Sequence, residues 1–381
     1  MEKVRLGDVC TVISGSTPKT SVEEYWNGDV KWITPAELDA DSYYIYDSVK
    51  HITELGMNKT GLSYMPVGTV ILSSRAPIGK TAIAGCELCC NQGFKNLICS
   101  DNIFNEYLYH FLRAKTDYLN SLGRGATFKE ISKAIVENVR IPLPTINEQK
   151  YIAIQLNKVT VLIDKRKKQL EKLDELVKSR FVEMFGDVAN NPKYGGIPLG
   201  TICSTLSGGT PTTKVPEYYQ GDIPWISTPY LGSNHINGSS AKAYITEDAI
   251  KNSATHLIPA NTIMFGIRVG VGKSSIIDDP MCANQDIVAL MGIDTNKYNL
   301  LFIKYTLDNY QSYFDSIKKG ATILGITTED LKKILIPVVD MGRQNQFADF
   351  VEQVDKLKFE IKQSLEKLEL LKKALMQKYF G

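Results

Sequence analysis

The sequence predicts an α+β protein of two repeated globular domains related by pseudo-twofold symmetry and joined by two long antiparallel coiled-coil helices. Three observations carry that expectation. The chain of 381 residues states nearly the same pattern twice in register. Each copy opens with short β-rich runs separated by Gly, Pro, Asn and Asp turns. Each copy closes with a long stretch free of proline, with apolar residues at helical spacing.

The repeat holds at an offset of 193. Val4-Arg5-Leu6-Gly7 returns as Ile197-Pro198-Leu199-Gly200, and Gly15-x-Thr17-Pro18 as Gly208-x-Thr210-Pro211. Tyr25-x-x-Gly28-Asp29-x-x-Trp32-Ile33 returns as Tyr218-x-x-Gly221-Asp222-x-x-Trp225-Ile226. Further on, Arg75-x-x-x-Gly79-Lys80 matches Arg268-x-x-x-Gly272-Lys273, and Asn91-Gln92 matches Asn284-Gln285. After a two-residue insertion the offset is 195, from Gly125-Ala126-Thr127 against Gly320-Ala321-Thr322 to Phe185-Gly186 against Phe380-Gly381. A repeat of this size is a domain plus a connecting element.

Taken in order, residues 1–145 form the first domain, with strands expected at Val70-Ile71-Leu72, Thr81-Ala82-Ile83-Ala84 and Asn96-Leu97-Ile98 and a helix from Glu106 to Leu122. The domain stops at Ile141-Pro142-Leu143-Pro144, because two prolines rule out a continuous helix. Residues 146–187 form the first spacer helix, with a stripe of Ile152, Leu156, Val159, Ile163, Leu170, Leu173 and Val177. Residues 188–340 form the second domain, and 341–381 the second spacer helix, striped by Phe347, Val351, Val354, Ile361, Leu365, Leu368 and Leu375. Each helix would run about 50 to 60 Å. A stripe that long needs a partner, either the helix's own domain or the other helix; repeats packed antiparallel would bury both stripes equally.

Composition is globular, with 43% apolar and 23% charged residues. No apolar run reaches signal-peptide or membrane-spanning length, so a cytoplasmic protein with no membrane partner is expected. Seven cysteines at unrepeated spacings suit a reduced compartment. The cluster Cys86-x-x-Cys89-Cys90 lacks a second paired set and a matching histidine, so no metal site is expected. Net charge is only +2, so any binding to phosphate must come from local clustering.

Catalytic patterns fail. Ile78-Gly79-Lys80-Thr81 resembles the end of a phosphate-binding loop, but the required earlier glycine is Ser74, and in the second copy Ile267. Asn191-Pro192-Lys193-Tyr194 departs from the Asn-Pro-Pro-Tyr signature of adenine methyltransferases, and no glycine-rich loop follows a strand to hold a methyl donor. Four histidines, none at repeated positions, make no acid-base set. No catalytic residue is assigned.

The repeated residues look more like a binding scaffold. Gly15 and Thr17, with Gly208 and Thr210, make a tight turn whose backbone can approach a ligand. Arg75 with Lys80, and Arg268 with Lys273, place two cations on one loop, which suits phosphates or a guanine edge, or else is a surface hairpin with ordinary charges. Arg124 with Thr127, and Lys319 with Thr322, again put a cation beside glycine and a hydroxyl. Gln92 and Gln285, each beside an Asn, bond bases or tie up local backbone; Trp32 and Trp225 suit core packing better than base contact. Features common to both copies cannot make the copies read different sequences. Specificity should lie where they diverge, above all in residues 35–64 against 228–257, with Tyr43-Tyr44-Ile45-Tyr46 in one copy and Ser233-Asn234-His235-Ile236-Asn237 in the other.

The doubled Gly-x-Thr-Pro…Trp-Ile block, the doubled Gly-Ala-Thr block, the Ile-Pro-Leu-Pro…Glu148-Gln149 opening of a long helix and the Phe-Gly ending each unit resemble the specificity subunit of type I restriction-modification systems, over essentially the whole chain. The resemblance implies two target-recognition domains, each reading one half of a bipartite site in double-stranded DNA, with the helices as a ruler. It implies as partners two methyltransferase subunits and motor-nuclease subunits. S-adenosylmethionine, ATP and Mg would then belong to those partners, with no cofactor bound by this chain. The second helix departs from the pattern, opening with Gly342-Arg343-Gln344 where the first has Asn147-Glu148-Gln149.

Overall fold

The computed structural model describes residues 2–39, 42–75, 77–125, 129–320 and 324–381. The chain divides into two compact units, one formed by residues 1–167 with 362–381 and the other by residues 168–361. The two long helices, Ile146–Phe185 and Met341–Phe380, are each 40 residues long, about 60 Å at the α-helical rise. Each unit thus holds the first part of one long helix and the last part of the other.

In the first unit a five-stranded sheet has the order Cys10–Ser14, Lys95–Cys99, Val70–Leu72, Thr81–Ala84, Tyr44–Ile45. The runs 70–72 and 81–84 are buried throughout, so their side chains are apolar or small on both faces. A three-stranded sheet follows, with Trp26–Ile33 between Lys50–Ile52 and the parallel strand Cys89–Cys90. The second unit repeats this topology, from Ser204–Ser207 at one edge to His235–Ile236 at the other. The divergent segments therefore supply edge strands: Tyr44–Ile45 pairs in parallel with Thr81–Ala84, and His235–Ile236 with Ser274–Ile277.

The two ends of each domain close on each other. Val4 lies opposite Ile141 in an antiparallel pair, and Ile197 opposite Ile336. The Ile-Pro motif thus ends the domain as a strand paired with its beginning. The helix expected over Glu106–Leu122 is two helices, Asn105–Ala114 and Thr116–Ser121. The Thr116 hydroxyl bonds back to the Arg113 carbonyl at 3.0 Å, a local alternative to the helical ladder.

Both packing options for the long helices occur inside each unit. In the second unit Phe181 and Phe185 meet Phe347 at ring separations of 5.3 and 5.7 Å, and the Asp174 carboxylate meets the Lys358 ammonium at 2.5 Å. Numbers rise on one helix as they fall on the other, which is the antiparallel sense. Phe185 also packs on Phe302 of the domain at 4.9 Å. In the first unit the equivalent residue, Phe380, packs on Tyr107 and Phe111 at 5.2 and 5.8 Å. The phenylalanine ending each sequence repeat is thus buried against the domain of the other repeat. Along the first stripe Ile152, Leu156, Val159, Ile163 and Val177 are buried, while Leu170 and Leu173 are half-buried.

Each long helix is locked to its domain by a buried glutamine. Gln149 accepts from the Phe104 backbone N–H at 2.8 Å and donates to the carbonyls of Asn102 and Pro144 at 3.0 and 2.9 Å. Gln344 makes the same three bonds, with Asn299, Lys297 and Val339. The residue before it differs for a capping reason. Thr145 and Glu148 form a capping box on the first helix. On the second, Asp340 caps through the Arg343 backbone N–H at 3.0 Å, which frees the Arg343 side chain to bond the Tyr194 hydroxyl.

Candidate nucleic-acid interface

The Gly-x-Thr-Pro turn is fixed by the same contacts in both units. A Cβ on Gly15 would lie 2.0 Å from the Asn91 carbonyl oxygen, and on Gly208 2.2 Å from that of Asn284, so neither position admits a side chain. The Ser16 and Gly209 backbone N–H groups donate across to Cys90 and Ala283 at 3.0 and 2.8 Å. From the other side the Trp32 indole donates to the Ser16 carbonyl at 2.9 Å, and the Trp225 indole to that of Gly209 at 3.0 Å. The tryptophans hold the turn in place; Trp32 is 3% exposed and is not presented to a ligand, while Trp225 is half-buried. On the outer side the Thr17 hydroxyl donates to the Gln92 side-chain carbonyl, and Thr210 to that of Gln285. Gln92 and Gln285 are exposed, and these bonds engage their side-chain carbonyls, not their amide N–H donors. Asn91 turns back to the Gly93 backbone N–H at 2.9 Å.

A second constellation gathers Arg75 and Arg124. The backbones of Arg124 and Glu130 exchange hydrogen bonds of 3.0 and 2.9 Å, and Ile131 N–H bonds the Ser74 carbonyl at 2.9 Å. Gly125 has φ +126° and Gly320 φ +144°, backbone that a side chain would strain. The backbones of Lys319 and Gly325 likewise exchange hydrogen bonds, of 2.8 and 3.0 Å, and Ile326 N–H bonds the Ile267 carbonyl at 2.8 Å. The Arg75 guanidinium is oriented by the Glu130 carboxylate at 3.0 Å, and that carboxylate also meets the nearly buried Lys95 ammonium at 3.4 Å. Arg268 has a different anchor, Asp286 at 3.7 Å. Both arginines stay about half exposed, at 45% and 53%, so each is aimed by a carboxylate and still open to a phosphate or base edge. Thr127 and Thr322 lie outside the described residues.

The structure separates the two lysines of the Gly-Lys motif. The Lys80 ammonium donates to the Pro35 and Leu38 carbonyls at 3.1 and 2.5 Å, closing the turn Pro35–Glu37 that begins the divergent segment. Its motif position suggests a phosphate ligand, but two of its three donors are taken by backbone carbonyls. Lys273 is exposed. Sequence reasoning also missed Glu130, Lys95 and Asp286. They do not occupy matching positions in the two copies, so the repeat that marks the arginines leaves their partners unmarked.

Comparison with known proteins decides the family. The model of the type I restriction modification DNA specificity domain matches residues 1–175 and again 194–372. The chain belongs to the type I restriction-modification DNA-specificity subunit family. Among its relatives, the MjaIX specificity subunit of Methanocaldococcus jannaschii is 35% identical over 68% of this chain, which spans 64% of that subunit's length. The MjaVIII specificity subunit of the same organism is 23% identical over 98% of this chain and 91% of its own length. In fold, the chain superposes on the S subunit of M. genitalium with a TM-score of 0.59 at 15% identity, covering 100% of this chain and 96% of that one. The role this family membership names is DNA specificity. Among the described residues, no helix is long and apolar enough to cross a membrane.

Proposed function

We propose that each of the two domains of this specificity subunit reads one half of a bipartite, gapped sequence in double-stranded DNA. The long helices would set the spacing and dock two methyltransferase subunits. The observation that carries this reading is the recurrence in both units of one exposed set, the Thr–Gln bridge on the glycine turn and an arginine aimed by a carboxylate, on domains whose divergent segments supply edge strands of different sequence. The shared set is suited to phosphate register and the differing strands to sequence. Half-sites engaged from one face of the duplex have centres about 34 Å apart or slightly more. Each reader alone binds weakly, and joining two on one chain raises apparent affinity through effective concentration.

Methylation of adenine with S-adenosylmethionine, and ATP- and Mg-dependent cleavage by motor-nuclease subunits, would belong to those cytoplasmic partners. The test is long-read mapping of methyladenine in cells expressing this chain with its methyltransferase subunit, against cells lacking this chain. A gapped two-part motif that appears only with the chain, and changes in one half when residues 1–145 are exchanged, is the expected result. No difference, with the methyltransferase active beside another specificity subunit, overturns the reading and leaves a protein-binding adaptor.

A further inference from the structure

The divergent segments are tied to the helical framework by polar networks that do not recur between the units. In the first unit the Tyr44 hydroxyl donates to Glu106 Oε1 at 2.9 Å, and the other oxygen of that carboxylate accepts from the Asn157 amide at 2.7 Å. Asn157 lies on the long helix, and its Oδ1 meets His110 Nε2, also at 2.7 Å. The same segment is held by the Tyr109 hydroxyl, which donates to the Ser42 carbonyl at 2.9 Å, and by packing of Tyr43 on Tyr109 at 4.8 Å. In the second unit the Asn234 amide donates directly to Asp355 on the other long helix at 2.7 Å, and Lys358 bridges Asp355 and Asp174 at 3.8 and 2.5 Å.

At the corresponding repeat positions the residues are different: Leu301 for Glu106, Tyr305 for His110, Glu352 for Asn157, and Thr160 for Asp355. The repeat keeps the packing of the two units alike but changes this set. Each set therefore matches the segment of its own unit and no other. Residues chosen only to hold the helix on the domain would be free to recur, as Gln149 and Gln344 do.

We infer that Glu106 and Asn157 in the first unit, and Asp355 with Lys358 in the second, are positioning residues for half-site specificity, fixing the edge strand that reads bases without touching DNA. The inference rests on the proposed half-site reading. A hydrogen bond to a carboxylate in a partly buried network is worth enough that its loss relaxes the strand's placement by about tenfold in population.

The experiment uses the full chain assembled with its methyltransferase subunit, on duplexes carrying single base changes in either half of the methylated motif. Asn157→Leu is expected to lower discrimination at the first half about tenfold and leave the second half unchanged; Asp355→Ala gives the reciprocal result. Tyr44→Phe, which removes one hydroxyl and no packing, moves the first half in the same direction and decides the matter if Asn157→Leu prevents assembly. Equal loss at both halves, or none at either, overturns the inference, because a structural defect lowers methylation without regard to which half is altered. If the unaltered complex methylates no gapped motif, the half-site reading itself fails. Hydrogen exchange of residues 42–46 then decides the positioning claim: unchanged exchange in Asn157→Leu overturns it, and faster exchange confined to that segment supports it.

Discussion

Substituting Gln149 by Leu tests whether the glutamine common to both helix openings is a structural clamp. The side chain is fully buried and makes three hydrogen bonds to backbone, at 2.8, 3.0 and 2.9 Å. Leucine fills similar space but leaves the Phe104 N–H and two carbonyls without partners in a dry site. At about 1 kcal/mol net for each bond the loss is about 3 kcal/mol, and an orphaned buried donor raises it further. That corresponds to about a hundredfold drop in the local closing constant. The Phe104 amide is itself the donor, so hydrogen exchange over residues 102–108 of the intact chain reads the effect directly. The control is Thr145→Ala, which removes the exposed cap one turn earlier and costs about 1 kcal/mol. Gln149→Leu should speed exchange at least tenfold more than Thr145→Ala. Equal effects, or less than a tenfold change for Gln149→Leu, would refute the clamp and leave the repeated glutamine unexplained.

Arg75→Ala and Arg268→Ala should each weaken DNA binding of the methyltransferase complex about tenfold and reduce the salt slope by about 1, measured by titration at several salt concentrations. Lys80→Ala should leave that slope unchanged and instead destabilise the first domain by about 2 kcal/mol in thermal melts, because its ammonium bonds two backbone carbonyls. Phe380→Ala should cost about 3 to 5 kcal/mol, since the ring is 1% exposed and packs on Tyr107 and Phe111; denaturant unfolding of the first unit checks it. Burial pushes the His110 imidazole down to about 4, so the unfolded chain takes up its proton first as the pH falls. That contribution is intact above about pH 6.5 and is lost progressively toward pH 4, by about 3 kcal/mol in all, and His110→Gln should flatten this part of a stability-against-pH curve.

The parts of this fold legible in the sequence are those whose physics is local or repeated. The long helices follow from stripe periodicity and from the absence of proline, and the strands at 70–72 and 81–84 from short apolar runs between turns. The closing pair of Val4 with Ile141 spans the whole domain, and nothing local marks it. The two arginines announce themselves by recurring at one offset, but Glu130 and Asp286 do not, because different neighbours supply the same charge. Lys80 misleads for the opposite reason: the motif fixes the type of side chain, while the turn at 35–38 that accepts its hydrogen bonds is set by tertiary packing.

A duplicated reader faces a constraint that follows from this division. On the proposed reading, whatever both copies share holds the same shape and would meet the same DNA backbone, so the turn built on Gly15 and Gly208 can stay fixed while the target sequence changes. An edge strand that reads bases cannot stay fixed, yet at two residues it is too short to hold its own position. It must borrow rigidity from elements already rigid: the sheet strand it pairs with and, through side chains, the helices packed behind it. Each new edge sequence then needs its own contacts to those helices, as Tyr44 bonds Glu106, which in turn holds Asn157 of the long helix, while Asn234 bonds Asp355 directly. A change of half-site is thus written in two places, on the strand and on the spacer, and an exchange that moves only the strand would leave it facing a helix shaped for another sequence.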